Sequence, residues 1–254
     1  MSTDNGKTWP ANVALASQFV TSNGKIWGQR TSDGKYATVY NPSEFRWPLA
    51  VSVSQDGLDY TNLLLVNGQI STMRYGGAYK SYGPQYTRGI IEGNGTPPDG
   101  KLWVTYSMNK EDIWVTSIPV PITDHVSEQA NEVFNDISTG KELDKWNIYS
   151  PEWAKVDIEK MPDGTKALAL YDRDRFDYAY AERVVPESKK LVADFTIVPG
   201  QNNTGMLDIE FQDAKGHAAI RLTLDSTGTF FAKAGYRNKD LLKHYDANTP
   251  YHII

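Results

Sequence analysis

The first nine residues contain the segment that most constrains how this chain folds. They read Ser2-Thr3-Asp4-Asn5-Gly6-Lys7-Thr8-Trp9, a polar turn-forming run before a large aromatic residue. The Asp4 carboxylate is expected to accept hydrogen bonds from backbone N–H groups ahead of it and so to close a turn. Gly6 suits the positive φ that this turn needs, and Ser2 is expected to bond the same backbone. Trp9 is expected to bury its ring against a neighbouring sheet. The alternative is an ordinary Asn-Gly hairpin.

This segment resembles the Asp box, or BNR repeat, of sialidase-like β-propellers. The resemblance is carried by Ser2, Asp4, Gly6, Thr8 and Trp9, which fit the pattern S-x-D-x-G-x-T-W. It implies a structural clasp on the outside of a propeller blade, not a catalytic site. The resemblance therefore bears more directly on the fold than on the reaction.

A second, degenerate copy of the box follows at Ser54-Gln55-Asp56-Gly57, with Tyr60 after it, and Asp56 lies 52 positions after Asp4. Propeller repeats recur at about 40–50 residues, so the two copies are spaced as in successive blades. Strands with short turns between them are predicted at 25–30, 36–40, 47–54, 63–66, 85–91, 102–107 and 113–120. Residues 1–122 are therefore predicted to be the last two to three blades of a partial β-propeller.

Residues 123–133 are polar and are predicted to be a linker, after which the spacing of the strands changes. Strands are predicted at 153–158, 167–171, 178–185, 191–198, 206–211, 218–224 and 229–234, and a further strand is predicted to start at 251. Residues 134–254 are therefore predicted to form a β-sandwich of the jelly-roll, concanavalin/laminin-G-like type. The predicted fold class is all-β, a partial propeller followed by a sandwich. We expect a piece of a longer protein, with the remaining blades before it and the sandwich truncated at its C-terminal end.

Composition excludes several classes of function. The chain has a net charge of −5, no Cys, and no His before residue 125. General affinity for nucleic acid is not expected from an acidic chain. A disulfide, a thiolate metal site and, within residues 1–122, a His-based triad are ruled out. No run of about 18 apolar residues is present, so no membrane span is predicted.

The resemblance also implies a chemistry based on Tyr, Glu, Asp and Arg. In sialidase-like enzymes a Tyr activated by a Glu is the nucleophile, an Asp is the acid/base, and Arg side chains bind the substrate carboxylate. Tyr86 and Arg88 are two apart and are expected to share one face of a strand, with Glu92 just beyond. These three residues are the predicted catalytic group. The alternative is that Tyr86 and Arg88 are ordinary blade residues, with Arg88 at the rim.

Two Arg-aromatic pairs are predicted to bind substrate. Arg74 and Tyr75 precede the predicted catalytic group, and Arg46 and Trp47 offer a cation beside a sugar-stacking ring. The alternative for the second pair is a core Trp47 with an exposed Arg46.

No cofactor is predicted, with one exception left open. Asp172, Asp174 and Asp177 lie close together and could bind Ca²⁺ through oxygen atoms. The interleaved Arg173 and Arg175 offer a simpler alternative, in which the charges pair in a solvated loop.

These observations predict a fragment of an exo-acting glycoside hydrolase that removes a terminal, acidic sugar from a glycan. A lyase acting on uronic-acid polysaccharides is one alternative, and a non-catalytic carbohydrate-binding module is the other. The expected partner is an oligo- or polysaccharide. The resemblance implies a periplasmic or extracellular location.

Overall fold

The structure is a computed structural model that describes residues 2, 4–12, 16, 18–21, 24–90, 99–137, 143, 145–237 and 239–254. These residues contain seventeen β-strands and one short 3₁₀ turn, Phe134–Asp136, so the all-β prediction is confirmed. None of the described helices is long and apolar enough to cross a membrane. The described chain forms two compact units.

The first unit comprises residues 1–125, 147–159 and 168–181. Its first sheet is an antiparallel meander of β1 (Trp27–Arg30), β2 (Tyr36–Tyr40), β3 (Leu49–Ser54) and β4 (Tyr60–Asn67). A second meander contains β5 (Pro84–Ile90), β6 (Leu102–Met108) and β7 (Asp112–Ile118). Apolar residues of β2, β3, β6 and β7 form one buried core, and β6 alternates buried and half-buried positions, as the period of a strand requires.

Four further strands follow, β8 (Trp146–Tyr149), β9 (Ala154–Lys160), β10 (Lys166–Asp172) and β11 (Tyr180–Arg183), paired as β8–β11 and β9–β10. The second unit comprises residues 126–146, 160–167 and 182–254. It contains the pair β12 (Phe195–Ile197) and β17 (Tyr251–Ile253), and an antiparallel sheet of β13 (Leu207–Gln212), β14 (Ala218–Leu224), β15 (Thr229–Ala234) and β16 (Asp240–His244). The domain boundaries at residues 122 and 134 stay a prediction.

The opening segment forms the turn that its sequence predicts. The Asp4 carboxylate accepts the backbone N–H of Thr8 at 2.9 Å and the hydroxyl of Thr8 at 2.6 Å. The Ser2 hydroxyl accepts the backbone N–H of Gly6 at 2.8 Å, and Gly6 has φ +84°. The second copy uses the same two acceptors: Ser54 accepts the N–H of Gly57 at 2.9 Å, and Asp56 accepts the N–H groups of Leu58 and Asp59 at 2.8 and 3.0 Å.

The expectation that Trp9 buries its ring is wrong, since 71% of the residue is exposed. Its indole N–H donates to the carbonyl of Gly6 at 3.2 Å. The ring is therefore held on its own turn and not against a sheet.

We expect the carboxyl group of Asp4 to titrate at about 2. The Thr8 hydroxyl, followed by the Ser2 hydroxyl, lowers its pKa from 3.8 to about 2. A depressed pKa means that the ionised carboxylate stabilises the turn at pH values above 3.8, and that this stabilisation is lost as the pH falls through about 2. Carboxyl ¹³C shifts recorded against pH measure the midpoint. Thr8→Val should move it towards 3.8, whereas Thr8→Ser should not. An unchanged midpoint in Thr8→Val would show that the hydroxyl is not the cause.

Candidate functional site

A pocket of about 570 Å³ opens in the first unit around Trp47. We call it the Trp47 pocket, and it is lined by Glu44, Phe45, Arg46, Trp47, Ile70, Ser81 and Tyr82. Trp47 is 41% exposed, so it is not the core residue of the alternative interpretation. Phe45 and Tyr82 are also exposed. The pocket therefore presents three aromatic side chains to solvent.

The segment that contains Trp47 is held in place by hydrogen bonds to neighbouring segments. The indole N–H of Trp47 donates to the carbonyl of Gly68 at 2.7 Å. The buried amide of Asn41 donates to the carbonyls of Pro48 and Pro84, at 2.9 and 2.8 Å. One side chain thus joins the loop before β3 to the start of β5. A ring held in this way loses little conformational freedom when a ligand stacks on it.

The opposite wall of the pocket is fixed by buried polar groups. Gln85, which is fully buried, donates to the carbonyl of Ser81 at 2.7 Å and accepts the Ser81 hydroxyl at 2.9 Å. Asn109, also fully buried, accepts the backbone N–H of Gly83 at 2.8 Å. These bonds hold Tyr82, which lies between Ser81 and Gly83, in a defined loop.

Tyr86 lies on β5 next to this wall and has an unusual backbone. Its φ is +57°, and the pairing of β5 with β6 shifts register between Gln85 and Arg88. The guanidinium carbon of Arg46 lies 5.2 Å from the centre of the Tyr86 ring, and the Lys110 ammonium lies 5.6 Å from it. The structure thus brings together Arg46 and Tyr86, which the sequence placed in separate predicted groups, and adds Lys110, which the sequence analysis missed.

The predicted catalytic group is described only in part. Tyr86 and Arg88 are both exposed on β5 and alternate with the buried Thr87 and Gly89, as residues on a common face would, although the pairing of β5 with β6 shifts register between Gln85 and Arg88. Glu92 lies outside the described residues. The catalytic roles of Tyr86, Arg88 and Glu92 therefore stay a prediction.

Arg74 and Tyr75 belong to a separate ion-pair cluster. The guanidinium of Arg74 lies 2.5 Å from the Asp112 carboxylate, and that hydrogen bond raises the pKa of Arg74. The Glu111 carboxylate accepts the N–H groups of Arg74 and Tyr75 at 3.0 and 2.8 Å, and it pairs with Lys80 at 2.9 Å. Burial raises the pKa of Glu111, but these bonds outweigh it and the pKa is lowered. Arg74 is thus engaged in holding the loop to the β6–β7 hairpin.

A buried Tyr–Asp pair in the first unit escaped the sequence analysis. Tyr149 is 1% exposed, its ring stacks on Trp114 at 5.2 Å, and its hydroxyl donates to Asp177 at 3.2 Å. Burial raises the pKa of Tyr149 and also that of Asp177. The alternation of polar and apolar residues gives no signal for such a pair, because the partners are 28 residues apart. The inaccessibility of Tyr149 fits a structural role.

The aspartates considered for calcium lie in consecutive turns. Asp172 and Asp174 each accept the backbone N–H two residues ahead at 2.9 Å, and Asp177 accepts that of Tyr178 at 3.0 Å. Among the described residues, no three His, Asp or Glu side chains group as a metal site would require. Calcium binding here stays a prediction.

Comparison with known proteins places these features in context. Residues 146–254 match the family model described as "Sialidase-like, CBM domain". A solved structure titled "Sialidase" matches 99% of this chain with 54% sequence identity and a TM-score of 0.90. The chain spans 23% of the length of that sialidase. No curated protein matches.

By sequence, residues 146–254 are similar to the carbohydrate-binding module domain of sialidase-like proteins, and nearly the whole chain is similar in fold to a part of a sialidase.

Proposed function

We propose that this chain is the carbohydrate-binding part of a sialidase-like exo-glycosidase and that its Trp47 pocket binds a sugar of the substrate glycan. The observation that carries the proposal is the half-exposed Trp47 ring, held by the bond to Gly68 inside a pocket of about 570 Å³. The match of residues 146–254 to a carbohydrate-binding module supports the binding of carbohydrate by the chain, while the Trp47 pocket, which lies outside the matched residues, is proposed from its own geometry.

The chemistry of the pocket suits a terminal acidic sugar. The C–H face of a pyranose stacks on an exposed aromatic ring, and Trp47 offers one together with Phe45 and Tyr82. Arg46 lines the same pocket, and a guanidinium donates through two parallel N–H groups to a carboxylate. Glu44 and Ser81 supply acceptors for hydroxyl groups.

The longer protein is proposed to be a glycoside hydrolase that releases this terminal acidic sugar. Its other blades are proposed to complete a propeller to which the β1–β4 and β5–β7 meanders belong, with Ser2–Trp9 as an Asp box and residues 134–254 as a sandwich. The location proposed is periplasmic or extracellular. Released sugar distinguishes the hydrolase from a lyase, which forms an unsaturated uronate, and from a non-catalytic module, which forms neither. Full activity in a Tyr86→Phe, Arg88→Ala variant of the longer protein would remove these residues from the catalytic assignment.

Trp47→Ala is expected to weaken binding of a sialylated trisaccharide by about 10- to 100-fold, because loss of a stacking ring costs about 1–3 kcal/mol. Isothermal titration calorimetry with 3′-sialyllactose measures the change in Kd. Lactose serves as the probe without the acidic sugar and should bind less tightly to the unaltered chain.

Trp9→Ala provides the matched control, because it removes another exposed indole of the same unit. It should leave Kd unchanged. Arg46→Gln should weaken binding of the sialylated ligand more than binding of lactose, since it removes the cation and keeps the Trp47 ring. Equal affinities of the Trp47→Ala and Trp9→Ala variants would contradict the assignment of the pocket.

A further inference from the structure

The sheet β13–β16 of the second unit has two faces of opposite character. Leu207, Leu224 and Phe230 are partners across β13, β14 and β15, and they pack in the apolar core of this unit. Successive side chains of a strand point to opposite faces. The alternate rows are therefore on the other face, and they are polar, with Asp208 opposite Thr223 and Glu210 opposite Arg221.

That polar face contains a groove of about 450 Å³, which we call the cationic groove. Four cationic side chains line it, Arg221, Lys233, Arg237 and Lys239, and of these Arg221 is paired with the Glu210 carboxylate. The one carboxylate in its lining, Asp208, accepts the hydroxyl of Thr223 at 2.5 Å and keeps its negative charge, but Lys233, Arg237 and Lys239 outnumber it. The whole chain has a net charge of −5, so this local excess of positive charge runs against its composition.

The groove also holds apolar surface next to its cations. Lys239 places its ammonium 3.7 Å from the centre of the Phe231 ring, which lies on the floor of the groove. Tyr236 and Met206 line the groove and are strongly exposed. Aromatic and thioether surface suits the C–H face of a sugar, while Lys and Arg suit an anionic group attached to it.

We propose that the cationic groove is a second glycan-binding site, specific for saccharides with anionic carboxylate or sulfate groups. Several cations in one groove match a ligand with repeated charges, so an acidic oligosaccharide fits better than a single free sugar. The site differs from the Trp47 pocket in its residues and lies in the other unit. It rests on the proposed carbohydrate-binding function and adds a ligand class to it, because binding here does not require recognition of the terminal sugar.

Calorimetry on the full chain with tetragalacturonate tests the proposal. The free acid should bind, and its methyl ester, which differs only in charge, should bind about tenfold or more weakly. Raised salt should weaken binding of the free acid more than binding of the methyl ester. A sulfated tetrasaccharide in a parallel titration separates the two anions, and binding of either anion supports the site.

Lys233→Gln with Lys239→Gln should reduce this affinity by about tenfold or more. Lys189→Gln with Lys190→Gln removes the same charge from exposed positions outside the groove lining and should have little effect. The binding should persist in a Trp47→Ala, Arg46→Gln background, so the two sites fail separately. Equal affinity for the acid and its methyl ester, equal losses in both lysine pairs, or no binding of either anion would overturn the proposal.

Discussion

Replacement of Gly83 by alanine is expected to destabilise the first unit by about 3–4 kcal/mol and to abolish binding at the Trp47 pocket. A Cβ at this position would lie 2.3 Å from the carbonyl oxygen of Arg46 and 2.9 Å from the Cβ of Trp47. The first contact is with a backbone atom, which cannot relieve the clash by a change of rotamer as a side chain can. Gly83 also has φ +97°, a conformation that costs any residue with a side chain about 1–3 kcal/mol.

Gly76→Ala is the matched control for this prediction. Gly76 belongs to the same unit, and apart from its own and the two adjacent residues, no atom of the described residues lies within 4 Å of the position its Cβ would take. It should change the free energy of unfolding by less than about 0.5 kcal/mol. Urea unfolding followed by tryptophan fluorescence gives the free energy, with the transitions of the two units analysed separately. A Gly83→Ala protein as stable as the Gly76→Ala protein would show that the contact with Arg46 does not constrain the fold.

Asn109→Ala is expected to cost about 2–4 kcal/mol, since it removes buried hydrogen bonds and leaves their partners unsatisfied. The Asn109 amide donates to the carbonyl and the hydroxyl of Ser71, at 2.8 and 3.1 Å, and its oxygen accepts the N–H of Gly83 at 2.8 Å. Asn109 also has φ +55°, which asparagine tolerates better than alanine. Binding at the Trp47 pocket should weaken as well, because Gly83 then loses its anchor.

Asn248→Ala separates the two causes of the lost stability, which are the missing hydrogen bonds and the positive φ. Asn248 has nearly the same φ, +58°, but is exposed. It should cost only about 1 kcal/mol, for the backbone conformation. Asn109→Gly should fall between the two alanine variants, because glycine accepts the positive φ but makes no side-chain bonds. If Asn109→Ala costs no more than Asn248→Ala, the buried hydrogen bonds do not stabilise this unit.

Local sequence patterns predicted the bounds of those strands that have a clear composition and clear turn residues at both ends. The predicted bounds of β2, β14 and β15 match the structure, because β-branched and aromatic residues lie between clear turn residues there. Two strands were missed. β8 has only four residues, and β16, Asp240–His244, is exposed along its whole length. An exposed edge strand has no buried face, so its residues carry no periodic signal and only pairing with β15 defines it.

The turn chemistry of the opening segment was also readable from the sequence, because Ser2, Asp4, Gly6 and Thr8 bond only to near neighbours. The exposure of the Trp9 ring could not be predicted from the sequence, since burial of a ring depends on what packs over it. The composition of the Trp47 pocket also depends on which distant residues pack together. Arg46 and Trp47 could be selected as an exposed pair of sugar-binding types, but the approach of Arg46 to Tyr86 depends on contacts that are distant in sequence.

The sequence alone thus determined the all-β class, the turns and the residue types suited to a sugar, since these depend on interactions between neighbours along the chain. The tertiary structure decided which residues share a site. Asn41 joins Pro48 to Pro84, and Asn109 joins Gly83 to Ser71, across 26 to 43 residues. In the groove, Arg221 and Lys233 meet through the pairing of β14 with β15, and Arg237 and Lys239 join them from the segment between β15 and β16. Buried polar bonds between residues distant in the chain are set by packing of the whole unit, and no local pattern encodes them.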